Sequence, residues 1–165
     1  MQKQELHLRP IRTEDESLML DILTSDIVKT TYILPDFDCR EEALPLFHKL
    51  ITLSNDETRY VRGICRGTQL IGFLNDVEIK NGMIELRYVI HPDFHGQGYM
   101  TQALVSAIAE LFSAGYREIV AGAFEQNTAS IRVMEKAGMT KLYRTDEIEY
   151  RSRIHRCVYY HTVLS

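Results

Sequence analysis

The chain has no apolar run long enough to cross a membrane as a helix, and its N-terminus lacks the apolar stretch of a signal peptide. Positive charge is not in excess. Lys and Arg number 19 against 23 Asp and Glu, a net charge of -4, which argues against nucleic acid as a general partner. Cysteine is scarce: Cys39, Cys65 and Cys157 are odd in number and carry no metal-ligand spacing. They read as reduced thiols, so a cytoplasmic setting without disulfides, metal or membrane partner is expected. Repeats, low-complexity tracts and linkers are missing as well. The 165 residues suffice for one domain with a real core, and a single domain over 1–165 is expected.

What the chain does have is the stretch His91-Pro-Asp-Phe-His-Gly-Gln-Gly-Tyr-Met-Thr-Gln-Ala-Leu104. Before it, Met83–Ile90 is rich in β-branched and aromatic residues and reads as a strand; after it, Leu104, Ala107, Ile108 and Leu111 recur at helical spacing. Gly96 and Gly98 permit a tight turn and leave amides uncovered by side chains. The first amides of a helix have no partner inside it, and the dipole there favours negative charge. Strand, glycine turn and helix N-terminus together predict a phosphate cradle. Other glycine turns are excluded. The nucleotide P-loop needs a Gly-Lys-Ser/Thr ending that is missing, the dinucleotide fingerprint needs a third glycine where Thr101 stands, and the hydrolase elbow needs a serine where Gln97 stands.

A second segment, Asn127-Thr-Ala-Ser-Ile-Arg-Val-Met-Glu-Lys-Ala-Gly-Met139, follows. Together the two segments resemble the GNAT superfamily of acyl-CoA-dependent N-acetyltransferases, and within it the ribosomal-protein alanine acetyltransferase branch. Pro92, Phe94, Gly96, Gln97, Gly98 and Tyr99 match the first motif of that branch; Asn127, Ser130, Glu135, Lys136 and Gly138 match the second. The resemblance implies an α/β (α+β) fold with a mixed, mostly antiparallel central sheet flanked by helices. It implies acetyl-CoA as co-substrate and acetyl transfer to a primary amine by direct attack in a ternary complex.

The element pattern agrees with that fold. Leu6 and Leu8 suggest a short edge strand, and Thr13–Glu16 reads as a capping box opening a helix that buries Leu18, Ile22 and Leu23. Ala43, Leu46, Phe47, Leu50 and Ile51 line a second helix, which Pro45 either kinks or starts. Strands are predicted near 58–65 and 69–79, and Lys80-Asn81-Gly82 reads as a tight hairpin into the strand at 83–90. A helix over 98–113, a buried strand at 119–123, a helix over 128–137 ending at Gly138, and strands near 140–146 and 156–164 complete the pattern.

Acyl transfer requires a held thioester, an amine that loses its proton, a stabilised oxyanion and a thiolate that leaves. The resemblance implies that the backbone of Tyr88, Val89 and Ile90 pairs with the pantetheine arm at a gap beside the strand 119–123. It implies that the amides of His95, Gly96, Gln97, Gly98, Tyr99, Met100 and Thr101 hold the diphosphate. His95 and Met100 depart from the family pattern, and a protonated imidazole at 95 would add charge to the cradle. Asn127 and Ser130 share one face of a helical turn; they either cap the helix or hydrogen-bond the pantetheine and the transition state. Glu85 is the candidate general base. Arg87 shares its face of the strand, so an ordinary Glu85–Arg87 pair on a half-exposed strand is the competing reading.

The tyrosine that many GNAT enzymes place after the Asn motif is replaced by Met134, leaving Ser130, an unassisted thiolate, or the more distant Tyr143, Tyr159 and Tyr160. Arg151, Arg153, His155 and Arg156 read as a solvated basic loop or as a contact for a phosphate or acidic acceptor. Acidic residues crowd the segment 14–42, with Asp36 and Asp38 around Phe37 as its loop members. They predict a cationic acceptor: a peptide N-terminus, a polyamine or an amino sugar. A monomer or homodimer is expected. The alternative is a non-catalytic acyl-CoA-binding or regulatory domain of the same fold.

Overall fold

The computed structural model describes residues 5–165, so the first four positions of the expected 1–165 domain lie outside the described residues. The strands are β1 (Leu6–Arg9), β2 (Val61–Arg66), β3 (Gln69–Lys80), β4 (Met83–Ile90), β5 (Glu118–Phe124), β6 (Thr140–Tyr150) and β7 (Arg153–Val163). They order as β1-β2-β3-β4-β5-β7-β6 in one sheet. β4 and β5 pair in parallel, whereas β1–β2, β2–β3, β5–β7 and β6–β7 are antiparallel. With helices α1 (Glu16–Leu23), α2 (Leu44–Ser54), α3 (Tyr99–Ser113) and α4 (Thr128–Lys136), this is the mixed α/β fold the sequence pattern predicts. The chain has two compact units. One holds the residues up to Asn75 with Tyr88–Tyr99, the other Asp76–Arg87 with Met100–Ser165.

In the first unit, Met19, Ile22 and Leu23 of α1 and Phe47 and Leu50 of α2 enter one apolar cluster with Val61, Leu70, Phe73 and Val89. The capping box expected at Thr13 does not form. A short 3-10 turn over Thr13–Asp15 precedes α1, and it is the Asp15 carboxylate that accepts from the Arg12 amide, at 2.8 Å. Arg9 grips the same carboxylate with both guanidinium arms at 2.8 Å. Burial pushes the Asp15 carboxyl up, but the Arg9 and Arg12 bonds outweigh it and hold the group below the usual range. Pro45 stands in the first turn of α2, where no amide donor is needed, so the helix starts there rather than kinking. Gly72 lets β3 press against the end of β4: a Cβ there would meet the Val89 carbonyl oxygen at 2.3 Å.

In the second unit, Asn81 and Gly82 take φ of 51° and 79°, the two left-handed residues of a tight hairpin. β6 and β7 run further than expected, meeting at Tyr150↔Arg153. Arg151 and Ser152 form the turn, with φ of 53° and 61°. The basic cluster is therefore not a loop: Arg153, His155 and Arg156 belong to β7, and the His155 ring stacks on Phe124 at 4.5 Å. Ile84, Leu86, Leu104, Ala107, Ile119, Ala121 and Met134 are fully buried in this unit.

Candidate active site

The glycine turn forms as the pattern predicts. After β4, Pro92–Phe94 makes a 3-10 turn whose N-cap is His91; the His91 Nδ1 accepts from the Asp93 amide at 3.1 Å. Gly96 and Gly98 take φ of 72° and 81°, and an added Cβ at either would meet no atom within 4 Å. The backbone is thus open on that side where α3 begins, and only glycine takes these dihedrals without strain. Tyr99 and Met100 bury their side chains, so these two residues offer the cradle only backbone; Thr101 is half-buried. Gln97 folds its amide back to the Asp93 carbonyl at 3.2 Å. Arg66 places its guanidinium 5.8 Å from the ring centres of both Phe94 and Tyr99, bracing the turn.

His95 is exposed, and its Nε2 lies 2.9 Å from the Ile90 carbonyl. A carbonyl only accepts, so Nε2 carries the proton, and in the neutral ring Nδ1 is a bare acceptor. The parallel register of β4 with β5 runs from Met83↔Glu118 to Leu86↔Ala121, and Tyr88, Val89 and Ile90 lie beyond its last pair. The His91 amide donates to the Ile71 carbonyl at 2.7 Å, fixing the end of β4 within its own unit.

The second unit gathers a different set. Glu85 is only 4% exposed, far from the half-exposed position of the competing reading. Its ion-pair partner is Arg144, not Arg87: Nη1 of Arg144 lies 3.2 Å from the Glu85 Oε1. Nη2 of Arg144 reaches the Asp146 Oδ2, also at 3.2 Å, and the guanidinium stacks 3.9 Å from the Tyr159 ring centre. The Tyr159 hydroxyl donates to the same Asp146 oxygen at 2.8 Å. Burial first, and then the Asp146 bond, hold the Tyr159 phenol well above its usual range, so it keeps its proton. The Tyr159 ring lies over Gly122, where a Cβ would come within 2.7 Å of it.

Arg144 and Asp146 escaped the sequence reading. The β6–β7 register slips between Lys141 and Thr145, and Arg144 stands in that irregularity, which no periodic pattern announces. Asp146 follows by strand alternation once Arg144 is known.

Asn127 caps α4 by accepting from the Ser130 amide at 3.1 Å, so the two residues are brought together as the helical spacing predicts. The cap reading is realised, and it engages the side-chain oxygen of Asn127. Met134 is fully buried and belongs to the core. Among the tyrosines, Tyr143 is wholly exposed, and burial raises the phenol of Tyr160. Among the described residues no group of three or more His, Cys, Asp or Glu could hold a metal. No helix among them is long and apolar enough to cross a membrane.

The model of the acetyltransferase (GNAT) domain matches residues 5–140. Among solved structures, a GNAT-family acetyltransferase from Bacillus anthracis is 18% identical with a TM-score of 0.82, covering 99% of this chain and 97% of that one. Spermidine N-acetyltransferase from Vibrio cholerae, solved with CoA and spermine, is 16% identical with a TM-score of 0.80, covering 96% and 95%. Ribosomal-protein-S5-alanine acetyltransferase from Vibrio fischeri is 14% identical with a TM-score of 0.79, covering 99% and 95%. No curated protein sequence matches the chain significantly.

Proposed function

The chain belongs to the GNAT acetyltransferase family, and from that premise we propose that it transfers an acetyl group from acetyl-CoA to a primary amine. One observation carries the reading. β4 bears the buried carboxylate of Glu85 and continues directly into a turn whose glycine backbone is open at the start of α3. The open amides at Gly96 and Gly98 suit a diphosphate, which needs donors and no side-chain cover. The backbone of Tyr88, Val89 and Ile90, beyond the last pair with β5, is the stretch offered to the pantetheine arm. Asn127 and Ser130 are assigned to the same acyl-CoA.

Glu85 takes the proton of the ammonium. The freed amine attacks the thioester carbonyl, the C–S bond breaks, and the CoA thiolate leaves and takes up the proton that the attacking nitrogen sheds as it becomes an amide. The thiol's ordinary pKa of ~8.5 makes it a leaving group that requires little help. Tyr159, which retains its proton strongly, is a poor acid for that step. Ser130 is the remaining donor on α4. The acceptor proposed is cationic: a peptide N-terminus, a polyamine or an amino sugar. Spermine bound to the Vibrio cholerae enzyme and the alanine substrate named for the Vibrio fischeri enzyme are both amines.

The second reading is a domain that binds acyl-CoA without turnover. Met134, buried in the core where many relatives place a tyrosine, favours it. Thiol release from acetyl-CoA, measured over a panel of amines and peptide N-termini, separates the two. Turnover with any amine supports the transferase, whereas CoA binding with no thiol release across the panel overturns it in favour of the binding domain.

A further inference from the structure

We propose that Arg144 is a specificity-determining residue, an exchangeable cation over Glu85 that yields to an acceptor arriving as an alkylammonium. The inference rests on the transferase reading and names how its acceptor is chosen. Glu85 has 5% of its side chain exposed, whereas Arg144 has 42%. The guanidinium is thus a half-exposed group laid on a buried carboxylate. It is also held from the outside, by Asp146 and by the face of Tyr159, independently of Glu85. Gly122 leaves the space in which that ring lies, and Arg144 stands at the slip in the β6–β7 register.

A buried carboxylate left without a partner is strongly disfavoured. A neutral acceptor that pushed the guanidinium aside would leave Glu85 in that state, and an acidic acceptor would add repulsion. An alkylammonium replaces one positive charge by another. Arg144 then swings outward while keeping Asp146 and the Tyr159 ring. When the ammonium passes its proton to Glu85, the carboxyl becomes neutral and no longer demands a cation. An arginine suits this role because its planar fork spans two carboxylates at once, which a lysine cannot reproduce.

The test uses the full chain with Arg144→Gln and Arg144→Lys, titrated calorimetrically with 1,5-diaminopentane, with the neutral 5-carbon alcohol analogue, and with the acidic amine glutamate, each with and without CoA. The diamine should bind Arg144→Gln about 3- to 5-fold more tightly than the parent, the size of a half-exposed ion pair, with Arg144→Lys between them. Methylguanidinium should compete with the diamine in Arg144→Gln and not in the parent, a readout that a merely structural arginine would not move. Diamine affinity that is unchanged or weakened in both variants overturns the proposal. So does a loss confined to glutamate, which would make Arg144 a carboxylate receptor. Where Arg144→Gln fails to fold, Arg144→Lys with methylguanidinium decides. Failure of the transferase reading looks different: no variant then releases thiol from acetyl-CoA with any amine.

Discussion

Glu85 and His95 are the two titratable side chains on which the proposed chemistry depends, and each has a partner that constrains it. Glu85 holds Arg144 through one oxygen. Replacing it by Gln keeps the shape and removes the base. Turnover should fall by about 10²- to 10⁴-fold while CoA affinity, measured by calorimetry, stays near the parent's. A rate within a few-fold of the parent makes Glu85 a structural partner of Arg144 and nothing more. At His95, the bond from Nε2 to the Ile90 carbonyl makes Nδ1 an acceptor in the neutral ring. If His95 lines the cradle, His95→Ala should weaken CoA binding measured by calorimetry; equal affinity in the two proteins removes His95 from it. Both residues are legible from the chain as candidates, whereas Arg144 is not, because an ion pair across strands depends on register.

Two hairpins of like backbone geometry show how far a sequence discloses its elements. The β3–β4 turn is spelled Asn81-Gly82, residues that accept left-handed dihedrals, and it was readable at once. The β6–β7 turn adopts the same region with Arg151-Ser152, which carry no such preference, so the sequence pattern marks neither the turn nor the full length of the two strands. Longer-range pairing with β5 overrides the local preference: β7 is registered along β5 from Glu118↔Val163 to Phe124↔Cys157. The helices were easier, since α3 and α4 carry apolar faces at helical spacing and end near glycines. The cost of the left-handed Arg-Ser turn makes a prediction. Arg151→Asn with Ser152→Gly should relieve about 1 kcal/mol of backbone strain and raise Tm by about 2–4 °C. The strand register that places Asp146 opposite Cys157 should be kept, so the rate should not change. A thermal melt showing no gain, or a loss, would mean that the turn is not strained and that its residues are held by contacts of their own.

At the scale of the whole molecule the question is how a chain of net charge -4 would meet the cationic acceptor proposed for it. The segment 14–42 is rich in carboxylates, but the structure neutralises several of them. Asp15 is held by Arg9, Asp21 pairs with Arg40, and Asp36 pairs with Lys29 at 3.2 Å. Lys29 is 4% exposed, while the Asp36 side chain is 67% exposed. Asp36 is therefore the counter-charge of a buried lysine as well as an exposed carboxylate. Asp38 is exposed, and its amide donates to Glu42 at 2.9 Å, which holds two carboxylates close together. A field of this kind raises the local concentration of a cation, and salt screens it within about 10 Å at 0.1 M. The two aspartates should then respond differently to the same change. Asp38→Asn should lower kcat/KM for a polyamine and reduce its salt dependence while leaving Tm unchanged. Asp36→Asn should strand the buried Lys29 and lower Tm, with little effect on the salt slope. The measurement is kcat/KM for the best amine between low and high salt in the parent and both variants, beside their melting curves. A salt slope that is the same in all three proteins would place the steering charge elsewhere, and the buried Glu85 would then select the cation without help from this surface.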